Sequence, residues 1–519
     1  MANVQAFAKR SLYYLKQLQW RCLSSTVLSH MSKSPLLFDN VELASNRYDI
    51  QRGNFAKATQ QDINYFKDIL SSQSAVITDA EELIGSNTDW LQVVRGSGPV
   101  LLKPENTEQV SKIMQYCNNR NLAVVPQGGK TGLVGGGVPV FDEIILSTSR
   151  MNNVIDVDKI SGTLVCQPGC ILQELEDRLN SDNFILPYDL GARGSCHIGG
   201  NLSTNAGGIR LVRYGSLHGS VLGVEAVLAD GTVLDCMSTC RKDNTGYDLK
   251  QLFIGSEGTL GIITKVAIAL AQKPRAQCVA LIGCNNFENV KQVFSSARKD
   301  LCEYLSACEF MDSKIMSLVE NHLKLTNPVQ TSSFYVLIEA SGSSEQYCKT
   351  ALLDFLETLI ESKVIKEGIV ADNSVQIKDV WALRERVLEA CQHDGYVFKY
   401  DVSLPLRVFY NIVDDLRSRL GSQAKSIGGY GHIGDGNLHI NITCEEYNKQ
   451  LEKAIEPYIF EWIGKYKGSV SAEHGMGFIK RKYMNYSKSE AAYNTMKGIK
   501  QLLDPKGILN PYKTIPDQY

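Results

Sequence analysis

The sequence predicts an α+β protein of at least two domains, and three observations lead there. At 519 residues the chain exceeds what one hydrophobic core normally serves. Between about 95 and 272, short β-rich runs such as "AVVPQGG", "GTLVCQPG" and "GTLGIITKVAIAL" alternate with dense glycine. Between about 276 and 500, long amphipathic patterns such as "NVKQVFSSARKDL" and "KTALLDFLETLIES" alternate with strand-like runs such as "SFYVLIEA" and "NLHINI".

Taken in order, the N-terminus carries Lys9, Arg10, Lys16, Arg21 and Lys33, and no acidic residue precedes Asp39. Basic, serine-containing and acid-free, it has the signature of a mitochondrial presequence, and residues 1–45 are assigned to it and a disordered lead. "QDINYFKDIL" opens a helical lead-in. Residues 46–274 form the first domain, with helix-like "TEQVSKIMQYCNNRN" and "CILQELEDRLN" among its strands and a boundary at "QKPRAQ". Residues 275–500 form the second, where long helices beside antiparallel-looking strands predict a sheet with helices on one face. In the tail, "IKQLLDPKGILNPYKTIP", a helix meets a stop, and 501–519 is expected to return to the first domain. No internal repeat is present.

Composition narrows the function classes. Apolar content of 44% and charged content of 21% are ordinary for a globular chain. A net charge of −2 argues against a general nucleic-acid binder. The 14 cysteines are scattered with no C-x-x-C pair, which points to reduced thiols rather than an iron–sulfur or zinc-ribbon motif. No run of about 18 apolar residues occurs, so no membrane span is expected.

Glycine marks the candidate sites. "PQGGKTGLVGGG" follows the strand "LAVV", and its consecutive N–H groups can form an anion nest suited to a pyrophosphate. It is not a P-loop, because G-x-x-x-x-G-K-[ST] requires glycine where Val124 stands. "GSCHIGGNLSTNAGG" and "GSEGTLGII" are equally dense, and three such loops in one domain exceed what turns alone explain. In the second domain, "GYGHIG" fits G-x-G-x-x-G, but the alternating strand "DGNLHINI" follows it where a dinucleotide site needs a helix. What remains there is two imidazoles. A glycine-rich turn lets His432 and His439 face one point, and His439 shares a strand face with Asn441. "SVSAEHGMGFIKR" adds Glu473 beside His474. Two histidines and a carboxylate make a metal site with open positions; zinc is the first choice, and manganese or iron suits the same ligands.

The three loops, quoted as "PQGGKTGLVGG", "HIGGNLSTNAGG" and "GSEGTLGIIT", resemble the flavin-binding domain of the vanillyl-alcohol oxidase and p-cresol methylhydroxylase superfamily. That resemblance implies a p-cresol methylhydroxylase-type FAD-binding fold for 46–274. It implies FAD contacts from Pro126, Gln127, Gly128, Gly129, Thr131, Gly132 and Leu133 in the first loop and Ser195, Ile198, Gly199, Asn201, Thr204, Asn205 and Gly208 in the second. Glu257, Gly258, Gly261 and Ile263 follow in the third, with Asn510 near the C-terminus. Some members attach FAD through a histidine of the first loop. No histidine stands between 94 and 196 here, so noncovalent FAD is expected. Lys130 departs from the uncharged residue usual in relatives.

"GYGHIGDGNLHIN", "SAEHGMG" and "LDPKGILNP", with "WALRERVLEA" and "YVFKYDVSLP", are similar to the FAD-linked D-2-hydroxyacid dehydrogenases from about residue 45 onward. By position the resemblance implies His432, His439 and Glu473 as metal ligands, Asn441 as a substrate contact, and His474 as substrate-binding catalytic base. Arg384 and Lys399 match readers of the distal carboxylate of D-2-hydroxyglutarate, suited to it by guanidinium fork and point charge. Leu388 stands where relatives commonly place a hydroxyl, one helical turn after Arg384. The implied reaction is oxidation to 2-oxoglutarate in the mitochondrial matrix, with electron-transfer flavoprotein as acceptor. Rival readings are a D-lactate dehydrogenase of the same family, a zinc hydrolase built on His432, His439 and Glu473, and a non-catalytic flavin- or metal-binding protein. Oligomeric state, including a homodimer, is left open.

Overall fold

The computed structural model describes residues 41–70 and 72–518. The basic segment read as a presequence lies outside them, apart from 41–45. Among the described residues no helix is long and apolar enough to cross a membrane.

The first half is built on two sheets. The smaller has strands β1 (Val76–Ile77), β2 (Leu101–Leu102), β3 (Val124–Gln127) and β4 (Ile144–Ser147), in the order β1-β2-β4-β3. Helices α1 (Gln60–Leu70) and α2 (Thr107–Arg120) pack on it. Helix α2 starts where the Asn106 side chain accepts the Gln109 N–H and stops at Asn121 in the left-handed conformation. Val110, Ile113, Met114 and Cys117 form its buried stripe at helical spacing.

The larger sheet of this half contains β5 (Val154–Asp158), β6 (Thr163–Cys166), β8 (Val221–Val227), β9 (Val233–Cys236) and β10 (Ile262–Ala269), all antiparallel in the order β5-β6-β10-β8-β9. A short pair, β7 (Phe184–Ile185) with β11 (Ala271–Gln272), flanks it. Helix α3 (Ile198–Thr204) carries the second glycine loop and ends at Asn205, also left-handed.

The second half is one antiparallel sheet of seven strands: β12 (Ala276–Cys284), β13 (Leu305–Asp312), β14 (Phe334–Gly342), β15 (Glu367–Val370), β16 (Tyr396–Ser403), β17 (Ser426–His432) and β18 (Asn437–Cys444). Their order is β15-β12-β14-β13-β17-β18-β16. Helices cover both faces, not one as the sequence suggested. Ala280 and Ile282 of β12 join a core with α4 (Phe287–Asp300), α6 (Glu345–Glu361) and α9 (Asn411–Leu420). Their alternating neighbours Val279 and Leu281 join a second core with α5 (Ser313–Leu323), α7 (Ser374–Glu385) and α8 (Val387–Asp394). A strand buried on both faces reads as one apolar run, so the pattern hides the second helical layer.

Helix α10 (Glu490–Leu503) already packs on the first half, through Ile499 and Leu503, and Lys500 donates to Thr259 O. Val124 N–H donates to Ile508 O at 2.8 Å, and Asn510 N–H donates to Val124 O at 2.7 Å, laying the C-terminal segment along β3. The buried Lys513 ammonium donates to Val138 O.

Candidate active site at the junction of the two halves

The hairpin β17–β18 places two of the candidate ligands. Its register pairs His432 with Asn437 and Tyr430 with His439. The glycines permit close packing: a Cβ at Gly428 would stand 2.6 Å from Ile315, and one at Gly434 would stand 2.9 Å from Val212. On the other side of β18, β16 pairs Asp401 with His439 and Lys399 with Asn441. Period two therefore turns Lys399, Asp401, His439 and Asn441 toward one face.

The loop with Glu473 and His474 meets this face. Glu473 Oε1 lies 3.9 Å from His432 Nε2, 3.8 Å from His439 Nε2 and 3.8 Å from His474 Nε2. Three imidazole nitrogens from three segments thus surround one carboxylate oxygen. The same nitrogens and oxygen are the donor types of a zinc, manganese or iron site. Asp401, His439, Glu473 and His474 also group within 4.8 Å of one another. Asp401 is the least available of these, because its Oδ2 accepts the N–H groups of Ala472, Glu473 and His474 at 3.0–3.2 Å.

Each imidazole is backed by a carboxylate. Asp401 sits 3.7 Å from His439 Nδ1 and 3.6 Å from His474 Nδ1, and Glu309 Oε1 is 2.7 Å from His432 Nδ1. Carboxylates on Nδ1 fix ring orientation and direct Nε2 to the shared centre. Burial opposes charge on His432, but the Glu309 carboxylate outweighs it and holds the imidazole at about 9. Burial pushes His439 down. Burial would also raise the Asp401 carboxyl, yet His474, Lys480 and His439 hold it well below the usual carboxylate range. Asp401 and Glu309 were missed by the sequence reading. Asp401 had a signal, two residues from Lys399 on the same strand; Glu309, in "LSACEFMD", had none.

A second polar group adjoins the histidines. Arg384 Nη2 lies 2.8 Å from Glu309 Oε2, and its guanidinium stacks over Tyr430 at 4.9 Å. Arg384 Nε is buried without a hydrogen-bond partner among the described residues. Asn441 Nδ2 is 3.4 Å from both Tyr430 Oη and Cys391 Sγ. Lys399 is half-buried, and burial lowers its ammonium pKa. One difference from expectation concerns Leu388. The helix breaks at Arg386, where φ −95° and ψ 13° separate α7 from α8, so Leu388 does not sit one turn along the helix of Arg384.

In the first half the three glycine loops meet. A Cβ at Gly129 would stand 2.0 Å from Ser195 O, one at Gly199 would stand 2.4 Å from Pro168, and one at Gly258 would stand 3.1 Å from Pro126. Gly132 and Gly200 face open space. Asn205 Oδ1 is buried with no hydrogen-bond partner among the described residues, the kind of orphan a bound group satisfies. These loops fit a dinucleotide cofactor such as FAD. Several of the expected contact side chains are engaged with protein: Gln127 Nε2 donates to Gly137 O, and Asn510 Nδ2 donates to Glu257 O and Gly136 O. Lys130, at φ +55°, points its ammonium to Gly85 O. The two halves touch at the site, where Gly208 N–H donates to Glu473 Oε2 at 3.1 Å.

Comparison with known proteins matches both halves. Residues 99–237 match the model of an FAD binding domain, and 273–514 that of the C-terminal domain of FAD linked oxidases. The chain is 57% identical over 463 residues to a mitochondrial D-2-hydroxyglutarate dehydrogenase of Danio rerio, covering 89% of this chain and 86% of that one. It is 53% identical over 494 residues to the protein of that name from Rattus norvegicus, covering 95% and 91%. Among solved structures, p-cresol methylhydroxylase superposes with a TM-score of 0.69 at 15% identity, covering 88% of this chain and 97% of that one, which shows the shared fold. With two matched domains and more than half its residues in common with these relatives, the chain belongs to the D-2-hydroxyglutarate dehydrogenase family of FAD-linked oxidoreductases acting on a hydroxyl group.

Proposed function

We propose that the protein oxidises D-2-hydroxyglutarate to 2-oxoglutarate with noncovalent FAD and a divalent metal, zinc first, with manganese or iron suited to the same ligands. The carrying observation is the set of three imidazole nitrogens around one Glu473 oxygen, joined through Glu309 to an arginine whose Nε lacks a hydrogen-bond partner among the described residues. His432, His439 and Glu473 would hold the metal, and the three glycine loops would hold FAD. When bound, the flavin would supply a hydride acceptor for C2 and the metal would supply Lewis acidity toward the substrate hydroxyl. His474 Nε2 takes the hydroxyl proton, with the ring oriented by Asp401 on Nδ1. Loss of that proton and of the C2 hydride converts the alcohol to the ketone. Asn441 contacts the substrate near the metal. Arg384 reads the distal carboxylate, and Lys399 adds a second charge that burial leaves poorly hydrated.

Electrons leave to a separate carrier, electron-transfer flavoprotein, in the mitochondrial matrix. The absence of histidine between 94 and 196 supports noncovalent attachment. The deciding experiment is the visible spectrum of the purified protein before and after D-2-hydroxyglutarate, with D-lactate as comparator. A yellow chromophore bleached faster by the dicarboxylate is expected. A colourless protein, or a spectrum that D-2-hydroxyglutarate leaves unchanged, would overturn the reading.

A further inference from the structure

We infer that Glu257, a residue of the flavin-binding half, is a positioning residue for the loop that carries Glu473 and His474; this rests on their roles as metal ligand and base. The Glu257 carboxylate is buried and makes no ion pair among the described residues. Instead Oε1 accepts the Met476 N–H at 2.8 Å and Oε2 accepts the Gly477 N–H at 2.7 Å. Glu257 itself is at φ +53°, a conformation that residues with a side chain seldom adopt. It is pinned there by its own N–H on Ser203 O and by Asn510 on its carbonyl, each at 2.7 Å.

A buried carboxylate with no cation in direct contact, acted on by the Lys513 and Lys480 ammoniums only from a distance, and a residue in the left-handed region both cost stability. What this arrangement secures is the place of a loop. The loop fits closely: a Cβ at Gly475, φ +79°, would stand 2.9 Å from Glu257 Cδ, and one at Gly477, φ +48°, would stand 2.3 Å from Val134 O. From the opposite side Asp401 Oδ2 holds the N–H groups of Ala472, Glu473 and His474. Two carboxylates, one from each half, therefore grip the backbone amides of 472–474 and of 476–477, on either side of Gly475. Asp401 alone fixes the start of the loop; Glu257 sets how His474 and Glu473 stand against the flavin-binding half.

Glu257→Gln in the holoenzyme tests this, because the amide turns a donor toward one of the two loop N–H groups. The expected result is zinc affinity lowered about 10–100-fold in competition with a chelator, together with faster amide exchange at Met476 and Gly477, in protein that still carries FAD. Gly475→Ala, which leaves every flavin-loop residue in place, is expected to reproduce the same pattern and decides the matter if Glu257→Gln does not fold. Loss of FAD with zinc affinity and amide protection intact would make Glu257 a flavin contact and overturn the proposal. So would folded variants with neither change. A parent protein that binds no zinc would refute the metal reading instead, and exchange at 476 and 477 would still decide the role of Glu257.

Discussion

Arg384 shows what one side chain does when its partners are fixed by others. Glu309 pairs with Nη2, Tyr430 takes the guanidinium face, and Nε has no hydrogen-bond partner among the described residues, which suits the proposed role of reading a carboxylate. Arg384→Ala should therefore harm D-2-hydroxyglutarate far more than D-lactate, because both carry the C2 hydroxyl and C1 carboxylate and only one has a charged far end. A charge-assisted hydrogen bond contributes roughly 1.5–3 kcal/mol, so the ratio of kcat/KM for the two substrates should fall roughly 10–200-fold. An unaltered ratio would mean that the distal group is read elsewhere. His474→Ala isolates the base. With His432, His439 and Glu473 intact, metal and FAD should stay bound while single-turnover flavin reduction slows about 10²–10⁴-fold. Reduction at the parental rate would remove His474 from that role.

At the scale of elements, the joint between α1 and α2 depends on one buried carboxylate. Asp62 accepts hydrogen bonds from Thr59 N–H and Oγ1, Tyr116 Oη and Arg120 Nε at 2.7–2.9 Å. Burial alone would raise its carboxyl, but Arg120, Thr59 and Tyr116 hold it well below the usual carboxylate range. A folded-state pKa lowered in this way gives stability that is present above the unfolded value of about 3.9 and is lost as pH falls through the folded value. Asp62→Asn should destabilise by about 1–3 kcal/mol at pH 7, toward the lower end because the Arg120 side chain is 44% exposed and screened. The difference in urea midpoint between parent and variant should hold constant from pH 7 to about 5 and narrow below about 3.9. A difference that stays level throughout would show that the charge contributes nothing.

Across the whole molecule, the proposed metal ligands sit on the seven-stranded sheet and the loop against it, while the glycine cradle sits in the other half. Chelation should therefore abolish turnover and leave FAD bound, read as unchanged flavin absorbance after gel filtration. Acid precipitation, in contrast, should release the colour to the supernatant. Colour retained in the acid pellet would refute noncovalent attachment, and full activity in protein shown metal-free by elemental analysis would refute the metal mechanism. The Gly208–Glu473 contact joins a glycine loop directly to the carboxylate that the three imidazoles surround.

Sequence by itself determined the parts of the site that are local. His432, His439 and Asn441 lie on one hairpin and Glu473 adjoins His474, so spacing and strand alternation suffice to group them within each motif. The glycine loops were legible for the same reason, since each is a contiguous backbone feature that needs the absence of a side chain. The tertiary structure alone decided which distant residues complete them. Glu309 reaches His432 across 123 residues, and Glu257 reaches Gly477 across 220. It also decided that helices cover both faces of the large sheet and that the helix after Arg384 breaks before Leu388. The physical reason is common to all of these. Periodicity records which face of an element is buried, but a buried carboxylate is placed by strand pairing and by amides that arrive from elsewhere in the chain, and neither leaves a local pattern.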